Sequence, residues 1–213
     1  MMLEDRIKKL GNIPFTKATL SNLLLEYKSP NDKIANLIKS GEIIQLKRGL
    51  YILSPKTSTK SNYLEIIANS LYGPSCVSLD YALSYHGLIP ERVYKVTSVT
   101  TGSKKKYNNN LGGFEYYHVS ESSFNIGVVY KQLPDGGSFL IASKEKALCD
   151  KIILTKNIRI NSLKVLKVFL FDDLRIASNL IQDMDVHIID QYIDSGYKTQ
   201  GLILLKNFIE GLV

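Results

Sequence analysis

The chain has 213 residues, 45% of them apolar, with a formal net charge of +7 concentrated at one end: residues 1–60 carry 11 Lys and Arg against 5 Asp and Glu, residues 161–213 carry 5 against 7. This length suits one large domain or two to three small ones, and the apolar content is that of a chain with a packed core. No stretch approaches the ~18 consecutive apolar residues of a membrane span, and the opening MMLEDRIKKLG has acids and no apolar run, so no membrane association and no signal peptide are expected.

Leu3, Ile7 and Leu10 recur at helical spacing and Gly11 stops the segment, predicting a first helix. Thr16 is placed as the N-cap of a second helix with Leu20, Leu23 and Leu24 on its apolar face. Ser29 is placed as the cap of a third, with Pro30 at its first position, where a missing N–H costs nothing. Ile34, Leu37 and Ile38 form that helix's inner face, and Gly41 ends it. The opposite face carries Asn31, Asp32, Lys33, Asn36 and Lys39, side chains suited to base edges and phosphates. Glu42–Leu46 and Leu50–Leu53 then read as two strands around the basic turn Lys47-Arg48-Gly49. Three short helices followed by a hairpin with a cationic tip is the order of a winged helix-turn-helix, whose third helix enters the major groove of double-stranded DNA. A polar helix face alone means only that the face is solvated; the order of the elements gives it weight. The candidate DNA-binding residues are Thr16, Lys17, Lys28, Ser29, Asn31, Lys33, Asn36, Lys39, Lys47 and Arg48. Tyr51 is either core or a neighbour of the duplex backbone.

SPKTSTKSN, residues 54–62, is polar and Ser/Thr-rich, which sets the expected division: a winged helix over 1–55, a linker over 56–62 and a body over 63–213. In the body, helices are predicted at Tyr63–Tyr72 and at Leu79–His86, the second capped by Ser78 and ended by Gly87. Strands are predicted at Cys76–Val77, Val93–Thr101, Phe114–Val119, Ile126–Tyr130 and Phe139–Ala142. Lys104–Lys106 is read as a solvated basic turn and Pro134-Asp135-Gly136-Gly137 as a tight one. Ser143 caps a helix through Ile153. From about residue 160 the pattern is helical, with Asp185 and Gly196 bounding one helix and a last one running from Thr199 to Leu212. The expected fold class is α+β: a winged helix followed by a body with a mostly antiparallel sheet and a helical C-terminal layer.

Catalytic patterns are scarce. His86, His118 and His187 have no second ligand at metal spacing, and His86 lies near a helix end, where a dipole or cap contact is the expected role. Cys76 and Cys149 form neither a zinc pattern nor a disulfide framework and read as reduced, buried thiols of a cytoplasmic protein. No phosphate-cradling glycine loop or nucleophile elbow occurs. We therefore expect no catalytic residues, no metal and no cofactor, with a metal-dependent nucleic-acid enzyme as the minority alternative.

The segments LKRGLYIL, PSCVSLDYALSYHGLIP, YKVTSVTTG and IASKEKALCDKI together resemble the AbiEi-type antitoxins of bacterial abortive-infection (AbiE) toxin–antitoxin systems. The resemblance rests on Ser78-Leu79, Ala82-Leu83 and His86-Gly87-Leu88-Ile89, followed by Ala142, Glu145-Lys146-Ala147-Leu148 and Asp150. It covers about residues 30 to 155. It implies a winged-helix repressor that binds inverted repeats in its own promoter and counteracts a cognate nucleotidyltransferase toxin. Whether it touches that toxin is left open, and a stand-alone regulator without a toxin partner is the alternative. Ser78, Gly87, Glu145 and Asp150 are expected to be structural.

Overall fold

The structure is a computed structural model describing residues 3–57, 63–134, 136–196 and 198–211. Most of the expected linker, Asp135 of the predicted turn and Leu212 at the predicted end of the last helix lie outside the described residues.

The N-terminal part comprises α1 (Leu3–Lys8), β1 (Phe15–Thr16), α2 (Lys17–Leu23), α3 (Pro30–Lys39), β2 (Ile43–Lys47) and β3 (Leu50–Leu53). The three strands form an antiparallel sheet in the order β1-β3-β2. The pairing of Phe15 with Tyr51 is an addition to the expected elements; two residues are too few to show a strand period. Ile7, Leu20, Leu24, Ile34 and Leu37 close a small core with Phe15, Ile43, Tyr51 and Leu53. Tyr51 is thereby a core residue.

The hairpin serves a second core as well. Leu46, Leu50 and Ile52 are buried in the cluster that fills the body. Their placement follows from the pleat, which sends successive side chains to opposite faces, so that Ile44 and Leu46 share the face toward the body; a bulge between Gln45 and Lys47 then brings Lys47 opposite Leu50. The wing is thus held from both sides and does not project freely.

The body begins with α4 (Leu64–Leu71), β4 (Ser75–Val77), α5 (Leu79–Tyr85), β5 (Val96–Thr100), β6 (Lys105–Asn109) and β7 (Gly112–His118). It continues with α6 (Glu121–Phe124), β8 (Val128–Gln132), β9 (Ser138–Ala142) and α7 (Lys144–Leu154). The strands form one sheet in the order β6-β7-β5-β4-β9-β8. The sheet is mixed: β5 runs parallel to β7 and β4 parallel to β9, and the other neighbours are antiparallel. Strand composition reports that a segment is extended and says little about its partner's direction. Here the β6–β7 hairpin folds back so that β7 lies alongside β5. Lys105 and Lys106, expected in a turn, belong to the edge strand β6. Where β4 and β9 share a single pair, Val77 with Ile141, Asn69 of α4 bridges them. Its side chain accepts from Leu140 N at 2.6 Å and donates to Ser75 O at 3.3 Å.

The C-terminal layer holds α8 (Leu163–Lys167), a π-helical segment Val168–Asp173, α9 (Ser178–Gln182), α10 (Val186–Asp194) and α11 (Thr199–Glu210). Asp185 caps α10 by accepting from His187 N, and Gly196 follows α10 at φ +80°. Among the described residues no helix is long and apolar enough to cross a membrane.

Candidate nucleic-acid interface

Helix α3 presents one continuous polar face. At about 100° per residue, Asn31, Asp32, Ala35, Asn36 and Lys39 fall together, and all are exposed, while Ile34 and Leu37 are buried on the opposite side. Lys33 departs from the expected face. It is half-buried, with its ammonium 5.6 Å from the ring centre of Tyr27. Ser29 stands at the N-cap of α3 but its hydroxyl makes no capping bond. Its ψ of 80° falls short of the extended backbone that aims a hydroxyl at the first turn. Thr16 does cap: its oxygen accepts from Thr19 N at 3.2 Å. Thr16, Lys17, Lys28 and Ser29 are all exposed. Leu25 and Tyr27, between α2 and α3, are exposed too.

The helix-turn-helix and the wing are joined at one point. The Lys17 N–H at the start of α2 donates to Gly49 O in the hairpin turn at 2.9 Å, beside the pairing of Thr16 with Leu50. Gly49 sits at φ +81°, a conformation that glycine adopts without strain. The two wing-tip cations then differ. Arg48 is exposed. Lys47 is half-buried: its ammonium donates to Leu71 O at 2.5 Å and lies 5.9 Å from the Tyr107 ring centre. Arg48 is available to a phosphate; Lys47 is engaged by the body.

Between the wing and the β6–β7 turn lies an open groove of about 650 Å³ lined by Lys47, Arg48, Lys56 and Asn108–Asn110. The Asn109 amide donates to Leu46 O at 3.5 Å across it. Asn109 and Leu46 are 63 positions apart in sequence, so only the fold brings the two sides of the groove together. The neighbouring lysines are partly spent on the body itself. Lys95 and Lys106 pair with Glu115 at 3.0 and 2.8 Å, and Lys104 lies over the Tyr117 ring. Hydrogen bonds from Lys106, Tyr117 and Lys95 outweigh burial and hold the Glu115 carboxyl at about 2, against an ordinary 4.5.

The segments that carry the family resemblance meet in the interior. Ser78 Oγ donates to Asp150 Oδ2 at 2.6 Å and Tyr192 Oη donates to Asp150 Oδ1 at 2.7 Å. Lys146 Nζ donates to Tyr192 Oη at 2.8 Å and to Ser123 O at 3.2 Å, and lies 3.4 Å from Asp150. All four side chains are fully buried. Ser78, expected as a helix cap, occupies the N-cap position of α5 but makes no capping bond and donates its hydroxyl hydrogen bond to Asp150 instead. His86 Nε2 lies 2.7 Å from Ala142 O, and Glu145 accepts from Asp185 N at 3.2 Å. Cys76 and Cys149 are buried beside this network; burial pushes the Cys76 thiol up to about 12 and raises the Cys149 thiol well above its usual range. The cluster is closed to solvent and ties α5, α7 and α10 together. Among the described residues no three His, Cys, Asp or Glu side chains gather as a metal site.

The chain matches no family model and no curated protein sequence.

Proposed function

We propose that this chain is a DNA-binding transcriptional repressor that reads double-stranded DNA with α3 and grips its backbone with the wing. On this reading it is an antitoxin of the AbiEi type, which controls its own operon and counteracts a nucleotidyltransferase toxin without chemistry of its own. The observation that carries the DNA reading is the face of Asn31, Asn36 and Lys39, exposed to solvent and backed by a helix whose other side is core. Asn reads adenine through a bidentate pair and Lys reaches guanine or phosphate. The bond from Lys17 N to Gly49 O supports the same reading, because it fixes α2 and the wing in one register. The antitoxin half rests on the resemblance of the Ser78–Ile89 and Ala142–Asp150 segments. The test is a reporter driven by the chain's own promoter, together with growth on co-expression of the neighbouring gene product. Repression that Asn36→Ala relieves, and growth restored by the chain, is the expected result. Repression without any rescue would reduce the protein to a stand-alone regulator, and a folded chain that does neither would remove the proposal.

A further inference from the structure

The polar face of α3 has a carboxylate at its middle. At about 100° per residue, Asp32, Asn36 and Lys39 lie within about 40° of the point directly opposite Ile34, and all three are exposed. A duplex approaching this face brings rows of phosphates that repel an exposed carboxylate. The helix itself makes little use of the acid. Ser29 and Asp32 have the spacing of a capping box, in which each side chain bonds the other residue's backbone N–H. Neither half is made: the Ser29 hydroxyl forms no capping bond, and among the described residues Asp32 has neither a hydrogen bond nor an ion pair. The neighbouring cation, Lys33, lies against the Tyr27 ring instead. Alignment with the helix dipole is open to an acid anywhere in the first turn, so it does not account for an acid at the centre of the outward face.

Base edges in the major groove offer a carboxylate two hydrogen-bond donors, N6 of adenine and N4 of cytosine. Adenine N6 lies between two acceptors, its own N7 and thymine O4. Cytosine N4 has an acceptor, guanine O6, on one side only. A carboxylate is therefore repelled less at cytosine.

We infer that Asp32 is a specificity-determining residue of α3 that reads cytosine, accepting from its N4 amine, beside an adenine read by Asn36 one turn along. Four residues rise about 6 Å and base pairs stand about 3.4 Å apart, so the two bases fall within about two base pairs of each other. On a site without cytosine at that position the carboxylate is left unpaired among phosphates, so Asp32 discriminates by repulsion as well as by attraction. This inference rests on the DNA-binding reading of α3 and adds the base composition of the site.

Selection from duplexes carrying a randomised stretch, with the full native chain, Asp32→Asn and Asp32→Ala, tests it. The native chain should enrich cytosine at one position within about two base pairs of an adenine. Asparagine pairs with adenine N6 and N7, so Asp32→Asn should move the preference at that position from cytosine to adenine. Fluorescence anisotropy then compares the recovered site with the same site carrying adenine in place of that cytosine. The native discrimination of about five- to tenfold should be reversed in Asp32→Asn and abolished in Asp32→Ala. Both variants should bind a scrambled duplex more tightly than the native chain, with circular dichroism unchanged because the residue is exposed. A native chain that selects a sequence but keeps every base preference after both substitutions overturns the inference and leaves the DNA-binding reading intact. So does a preference for a base other than cytosine at the position that Asp32 governs. A native chain that selects no sequence overturns both.

Discussion

Replacing Lys146 with Met isolates what the interior network contributes. The substitution keeps most of the volume and removes the ammonium, leaving Asp150 fully buried with the Ser78 and Tyr192 hydroxyls as donors and no opposite charge. Breaking a buried ion pair from one side costs roughly 3–5 kcal/mol. The two retained hydroxyl bonds place this case at about 3 kcal/mol, the lower end. For a chain of this size each kcal/mol moves the melting temperature by about 2–4 °C, so the expected drop is roughly 6–12 °C. Urea unfolding followed by circular dichroism should give a lower midpoint with an unchanged slope, because the surface exposed on unfolding is the same. Tyr192→Phe removes a donor to Asp150 and an acceptor for Lys146, and should cost about 1.5–3 kcal/mol. A loss below about 1 kcal/mol for Lys146→Met would mean that the pair is solvated or energetically neutral, and that the network does not hold α5, α7 and α10 together.

The wing cations should separate in a salt series: Arg48→Ala should flatten the slope of log K against log salt by about 0.9, the value of one phosphate contact. Lys47→Ala should leave that slope nearly unchanged and lower the unfolding midpoint, because its ammonium serves Leu71 and Tyr107. Glu115 has a folded-state value of about 2 against an ordinary 4.5, so its stabilising contribution is full above 4.5 and lost as pH falls toward 2; Glu115→Gln should flatten the acid limb of stability in that window. Cys76 and Cys149 should resist a thiol reagent at neutral pH in the native protein and react on unfolding in urea, since both are buried with raised thiol pKa values.

Most helices, most strands and the caps at Thr16, Ser143 and Asp185 were legible in the sequence because each has a local signature: a period, a small polar residue at a boundary, or a glycine that needs positive φ; the one-turn α6 is too short to show a period. What the sequence hid is relational. The β4–β9 and β5–β7 pairs are parallel, and nothing in Val77 or Ile141 states the direction of the partner. Lys47 and Arg48 are adjacent cations with identical local signals, yet one is taken up by a carbonyl of α4. Ser78 has the sequence context of a cap, and only the approach of Asp150, seventy-two positions away, redirects its hydroxyl. The α3 face was readable because helical periodicity alone fixes which side is outward; the groove at Asn108–Asn110 was not, because it is assembled from two parts of the chain.

The central claim is that α3 reads DNA sequence. Fluorescence anisotropy of the full chain on its own promoter and on a scrambled duplex of equal length, with Asn36→Ala measured in parallel across a salt series, tests it most directly. Tighter binding to the promoter and a negative salt slope are expected. Asn36→Ala should lower the preference by ~1–3 kcal/mol and leave the slope nearly unchanged. Equal affinity of the native chain for both duplexes, or an unaltered preference in Asn36→Ala, would contradict it.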